Sequence, residues 1–336
     1  MPVSIARSLE RRAGRVARVA QWLIAAIVIG FAARELAQQW SDVAPALRSL
    51  RIDWLVVAAS GALVLSTYLL LIEAWRRTLR VWSASVPFPN AARIWFVSNL
   101  GKYVPGKVWQ IAAMGAMAQR DGVGPAAAIG SSLVVNLVNV IAGFAVIALT
   151  AGGEIASAVG VSGEPGSRGA AALTVLMITI GGVAALVITP FAVPRLASLA
   201  ARVTGRSFVV PRVPASAIWI AAATTTLSWV LYGLAFGLFA HGVSRAATGN
   251  ASSYIAVYTG SYLAGYLALF APGGVGVREA VLVLAMPRFQ LASAADAAAI
   301  AVASRLWLTV LEIVPGLLLL RGPWATTAQV NHSDDS

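Results

Sequence analysis

The feature that most constrains this chain is a series of long apolar runs. A stretch of about 20 apolar residues is long enough to cross the hydrocarbon of a bilayer as a helix. Such stretches fall at 19–39, 54–73, 126–151, 170–193, 214–240 and 294–320. Of the 336 residues 59% are hydrophobic and only 11% charged, so most of the length is excluded from being a water-soluble domain. Backbone inside lipid must satisfy its own N–H and C=O groups, which leaves helices as the expected form. The predicted fold class is an all-α polytopic membrane protein with about six full transmembrane helices plus two re-entrant or broken helical elements. It is read as one transmembrane domain over 1–324, followed by a polar tail at 325–336.

The two broken elements are the apolar regions 91–118 and 253–287. The first is interrupted by Ser98 to Gln110, SNLGKYVPGKVWQ, and the second by Ala271 to Ala280, APGGVGVREA. Proline removes a rung of the helical ladder and glycine lets the chain turn, so Gly101, Pro105, Gly106, Pro272, Gly273, Gly274 and Gly276 are the expected hinge residues. Non-helical backbone at membrane depth is tolerated only where protein or a water-filled cavity satisfies it. Two such breaks therefore predict one built site.

Charge gives the expected orientation. The formal net charge of +12, from 25 basic and 13 acidic residues, resides largely in arginine clusters between the apolar spans, which reads as membrane orientation and not as nucleic-acid binding. Arg7, Arg11, Arg12, Arg15 and Arg18 place the N-terminus in the cytoplasm, and Arg76, Arg77 and Arg80 return the chain there. If 91–118 dips in and comes back, Glu154 and Glu164 fall outside and Arg195, Arg202, Arg206 and Arg212 inside, as the positive-inside rule prefers. The same count makes 253–287 enter from outside and leaves the C-terminus cytoplasmic. The halves at about 54–151 and 214–320 then have the pattern of an inverted-topology repeat. The run from Val19 to Ala33 is followed by Arg34 and Glu35 without a cleavage site, so a retained anchor in the cytoplasmic (inner) membrane is expected instead of a signal peptide. With no cysteine and two distant histidines, His241 and His332, neither a disulfide framework nor a metal site is expected, and no cofactor.

Charged groups at membrane depth are expensive and mark functional sites. In the first break Lys102 and Lys107 flank Tyr103, with Asn99, Ser98 and Gln110 as neutral hydrogen-bonding neighbours. Two ammonium groups and half-helix ends favour an anion such as a lipid phosphate, while snorkelling of both lysines to the interface is the plainer reading. In the second break Arg278 has the fork geometry to clamp a phosphate, and Glu279 either balances a cationic head group, pairs with a lysine, carries a proton or simply forms an ion pair at a helix start. Tyr254, Tyr258, Tyr262 and Tyr266 recur every four residues and form one helical stripe, an aromatic wall or ordinary packing. Arg305 and Glu312 lie two turns apart on the last span; they reach each other, or they pair with Glu279 and Arg278. Asn136, Asn139 and Ser132 share another face, where polar helix packing is the default.

At its two breaks the chain resembles the transmembrane half of the lysylphosphatidylglycerol synthase/flippase family. A GKxxPG-type segment reads here Gly101-Lys102-Tyr103-Val104-Pro105-Gly106, and a PGGxGxxE segment reads Pro272-Gly273-Gly274-Val275-Gly276-Val277-Arg278-Glu279. The likeness covers about 50–320. It implies a membrane domain that moves charged or glycosylated lipids between leaflets. The soluble aminoacyl-transferase domain of bifunctional members has no counterpart before Ser336, so lipid synthesis, and enzymatic activity generally, is not expected. The expected partners are membrane lipids: a phospholipid, an aminoacylated lipid or a polyprenyl-phosphate carrier. Oligomeric state is left open, a homo-oligomer included. The competing readings are an intramembrane polyprenyl-dependent glycosyltransferase and a non-transporting membrane scaffold.

Overall fold

The computed structural model describes residues 51–103, 108–158, 214–268 and 271–320, with parts of 173–195. Every regular element among them is helical: α1 (Trp54–Arg80), α2 (Phe88–Asn99), α3 (Val108–Arg120), α4 (Pro125–Ala158), α5 (Val175–Ala185), α6 (Ala215–Val243), α7 (Ala251–Leu267), α8 (Val277–Arg288) and α9 (Ala294–Leu320). Short 3-10 turns, Leu100–Tyr103 and Pro272–Gly274, follow α2 and precede α8. Four of these helices contain an apolar stretch long enough to cross a membrane: Trp54–Arg80, Gly130–Ala151, Ala215–Val243 and Ala294–Leu319. Large apolar side chains on their outer faces, such as Leu69, Phe144, Leu149, Trp219, Leu306 and Leu318, are exposed, as lipid-facing positions are. The chain is a multi-pass membrane protein.

The expected spans at 54–73 and 126–151 run longer in the structure, to Arg80 and Ala158. The charges that appeared to end the first span continue its helix, because Glu73 pairs with Arg76 at 2.5 Å and Arg77 at 3.1 Å along the helix surface. The expected span 19–39 and the tail 325–336 lie outside the described residues, and of 170–193 only parts are described.

Local sequence fixes the helix starts. Asp53 caps α1 by accepting from the Leu55 and Val56 amides, and Asn250 caps α7 by accepting from Ser253 N at 2.9 Å. Close packing then follows from small residues. A Cβ on Gly233 of α6 would lie 2.4 Å from Ile255 Cα of α7, so only glycine lets these two helices approach as they do.

Both broken regions double back. Asn90, at the start of α2, hydrogen-bonds Asp121 just past the end of α3. A Cβ on Gly101 would sit 3.1 Å from Gln110 N, so the two arms are in contact at the turn as well. At the second break, Thr248 N donates to Leu291 O at 2.9 Å, closing the open end of the α7–α8 pair, while Gly265 and Gly274 touch near its turn. Each pair is thus a hairpin that enters and leaves at one end of the molecule. The ends are opposite. The α2–α3 hairpin follows the C-terminal end of α1, and the α7–α8 hairpin follows the C-terminal end of α6, which is bonded to the N-terminal end of α1 through Asp53 N and Gly242 O at 2.7 Å. The two 3-10 turns meet inside the helical bundle.

Candidate functional site

Where the turns meet there is a cavity of about 120 Å³. Its wall draws on α1, both hairpins, α4, α6 and α9. Its level in the bundle is given by α9. Arg305, near the middle of the apolar stretch Ala294–Leu319, donates from Nη1 to Gly273 O of the second turn at 2.9 Å. Glu312, seven residues and so about 10 Å further along that helix, accepts Lys102 Nζ of the first turn at 2.5 Å. The turns therefore grip α9 at two successive levels around its centre.

The polar groups of the site are mostly in fixed partnerships. Glu312, 4% exposed, takes both Lys102 and the Tyr68 hydroxyl, which donates to Oε1 at 2.7 Å. Arg305 Nε lies 3.7 Å from Glu279 Oε1. The other Glu279 oxygen accepts from Gly276 N at 2.7 Å and so caps α8. Gln110 Nε2 donates to Asn99 Oδ1 at 3.2 Å across the first hairpin, and Tyr266 OH to Asn136 Oδ1 at 3.2 Å between α7 and α4. Arg278 is different. It is 5% exposed, its guanidinium carbon lies 4.9 Å from the Tyr258 ring centroid and 5.2 Å from that of Tyr262, and its Nε and Nη2 have no hydrogen-bond partner among the described residues.

An aromatic path connects these charges. Tyr68 meets Tyr232 edge-on at 5.9 Å, Tyr232 stacks on Tyr258 at 5.8 Å, and Trp229 meets Tyr262 at 5.4 Å.

Of the residues singled out from sequence, Asn99, Lys102, Gln110, Tyr262, Tyr266, Gly273, Arg278, Arg305 and Glu312 all line this cavity. Glu279 stands behind it, holding Arg305 and the start of α8. Gly101 packs against the Gln110 backbone, and Gly274 (φ +70°) against Gly265. Gly276 supplies the left-handed turn into α8 at φ 81°. Lys107, Pro105 and Gly106 lie outside the described residues, as do the side chains of Tyr103 and Pro272. The tyrosine stripe divides. Tyr262 and Tyr266 face the cavity, whereas Tyr258 is buried beneath Arg278 and Tyr254 is packed near His241, its hydroxyl donating to Thr248 O. Arg305 and Glu312 pair with neither each other nor Arg278, but with opposite hairpins. Tyr68, Trp229 and Tyr232 of the wall were not singled out, because single aromatics inside apolar spans look like ordinary core. Asn136, Asn139 and Ser132, whose spacing points to helix packing, line the cavity as well.

A family model described as the lysylphosphatidylglycerol synthase TM region matches residues 18–316. The chain belongs to that family. The match spans both hairpins and every cavity residue named above. None of the curated proteins compared with the chain gives a match. Membership in the lysylphosphatidylglycerol synthase TM-region family gives this multi-pass protein a membrane, lipid-related setting, in which a polar cavity among apolar helices must be interpreted.

Proposed function

We propose that the protein is a lipid flippase that moves a charged lipid between leaflets by alternating access at this cavity, with its acyl or prenyl tail remaining in the bilayer. The observation that carries the reading is the convergence of two oppositely directed hairpins on one buried, charged cavity at the middle of an apolar helix. Inverted elements around a central site are how secondary transporters expose one site to either face in turn. The two breaks become re-entrant hairpins on this account, the first from the cytoplasm and the second from outside, and the halves an inverted repeat. The protein sits in the cytoplasmic membrane and does no covalent chemistry. Lys102 and Glu312 act as a gate pair, since their bond ties the first hairpin to α9.

The test is transbilayer movement of fluorescent lipid in vesicles reconstituted with purified protein. Wild-type protein is expected to expose inner-leaflet phosphatidylglycerol to an external quencher, and Lys102→Ala to slow that exposure. Equal rates for wild-type, Lys102→Ala and protein-free vesicles would contradict the reading.

A further inference from the structure

Among the described residues the charges around the cavity are nearly balanced, and the imbalance falls on one of them. Among its described lining residues the charged ones are Lys102, Arg278, Arg305 and Glu312. Lys102 is neutralised by Glu312, and Arg305 by Glu279 behind the wall. Among the described residues that leaves Arg278 without a salt-bridge partner, buried to 5% exposure and with two guanidinium nitrogens unfilled. The Tyr258 and Tyr262 rings offset part of its burial by cation–π attraction. The ring faces fill no in-plane hydrogen-bond direction, and Nε and Nη2 have no acceptor among the described residues. A buried guanidinium beside the cavity with two unfilled nitrogens matches the oxygens of a tetrahedral oxyanion, and it stands at the second residue of α8, where the helix end favours negative charge.

Resting on the flippase reading of the same cavity, we propose that Arg278 is the anchor for one singly charged phosphodiester. The site is then selective for lipids whose head group carries a net charge of minus one. Size agrees with charge. At about 120 Å³ the cavity is smaller than a usual small-molecule pocket, roughly 300 Å³ or more, so it accepts a compact phosphate sooner than a diphosphate with its sugar. An aminoacylated lipid fits poorly for the opposite reason. Its ammonium groups need carboxylates, and Glu312 and Glu279 already serve Lys102 and Arg305.

The test is binding to delipidated full-length protein by native mass spectrometry, with phosphatidylglycerol, phosphatidic acid, lysylphosphatidylglycerol and the soluble diester dimethyl phosphate as probes. Phosphatidylglycerol is expected to bind most tightly, and Arg278→Gln to weaken it by about 10- to 100-fold, the range for a charged hydrogen bond. A site for the lipid head group holds phosphatidylglycerol alone, whereas a site for the free anion holds dimethyl phosphate as well; either is weakened to the same degree by Arg278→Gln. Two further variants guard against a glutamine substitution that fails to fold. Arg278→Lys keeps the charge and is expected to retain the preference with reduced affinity. Glu312→Gln removes the carboxylate that faces Lys102, raises the net positive charge of the cavity by one, and is expected to shift preference toward phosphatidic acid. Lysylphosphatidylglycerol binding as tightly as phosphatidylglycerol, or selectivity unchanged in Glu312→Gln, overturns the proposal. The two readings fail separately: Arg278-dependent binding without transport in vesicles sinks the flippase reading and upholds this one, while transport indifferent to Arg278 and to head-group charge does the reverse.

Discussion

Lys102 and Glu312 are held together inside apolar surroundings, with side-chain exposures of 15% and 5%. Removing one member of such a pair strands the other charge, at a cost of about 3–5 kcal/mol, while removing both together is far less damaging. Lys102→Met is therefore expected to lower the thermal unfolding midpoint of detergent-solubilised protein clearly. The double variant Lys102→Met/Glu312→Gln is expected to recover much of that loss, and equal damage from both would show that the pair is not coupled. At this scale the sequence was legible in residue type but not in partnership. A lysine, two arginines and two glutamates in apolar sequence announce a site. Which carboxylate meets which cation depends on helix rotation and on contacts spanning up to about two hundred residues, as with Lys102 and Glu312, and no local spacing encodes that. Tyr68 and Tyr232 stayed hidden for the same reason, since an aromatic in a span faces lipid, core or cavity according to packing alone.

The hairpins depend on glycine in two distinct ways, which substitution separates. Gly274 has φ +70°, and a Cβ there would lie 2.8 Å from Gly265 Cα, so Gly274→Ala meets both backbone strain and a backbone clash. Gly276 has φ +81° but nothing within 4 Å of its Cβ position, so Gly276→Ala meets the strain alone, about 1–2 kcal/mol. The former is expected to destabilise the protein more than the latter in the same thermal assay; the reverse order would contradict the close contact at the second turn. Glu279→Ala is expected to cost about 1 kcal/mol through loss of the α8 cap, and more through the Arg305 pair. Both breaks were readable beforehand because Pro, Gly and charge interrupt a hydrophobic run. The contacts that close them, Asn90 with Asp121 and Thr248 with Leu291, join residues without any motif, so the hairpin shape was not legible at those positions.

For the whole molecule the decisive property is that the two hairpins open toward opposite ends. The chain contains no cysteine, so single cysteines report sidedness without background. Ser85→Cys and Gly124→Cys, at the two feet of the first hairpin, are expected to react with an impermeant thiol reagent from the same face of the membrane. Ala246→Cys and Ala294→Cys, beside the feet of the second, are expected to react only from the other face. Labelling of Ser85→Cys and Gly124→Cys from opposite faces would mean that the first broken region crosses the bilayer, contradicting the inverted arrangement. Alternating access further requires the first hairpin to part from α9, and one contact allows that to be prevented. The Leu100 Cγ lies 3.4 Å from the Cβ position of Gly316, so Leu100→Cys with Gly316→Cys is expected to bring two thiols close enough to be bridged. The most direct measurement is the rate of phosphatidylglycerol movement across reconstituted vesicles containing this double variant, oxidised and then reduced. The account predicts that the disulfide stops transport and that reduction restores it; transport at the same rate in both states would contradict it.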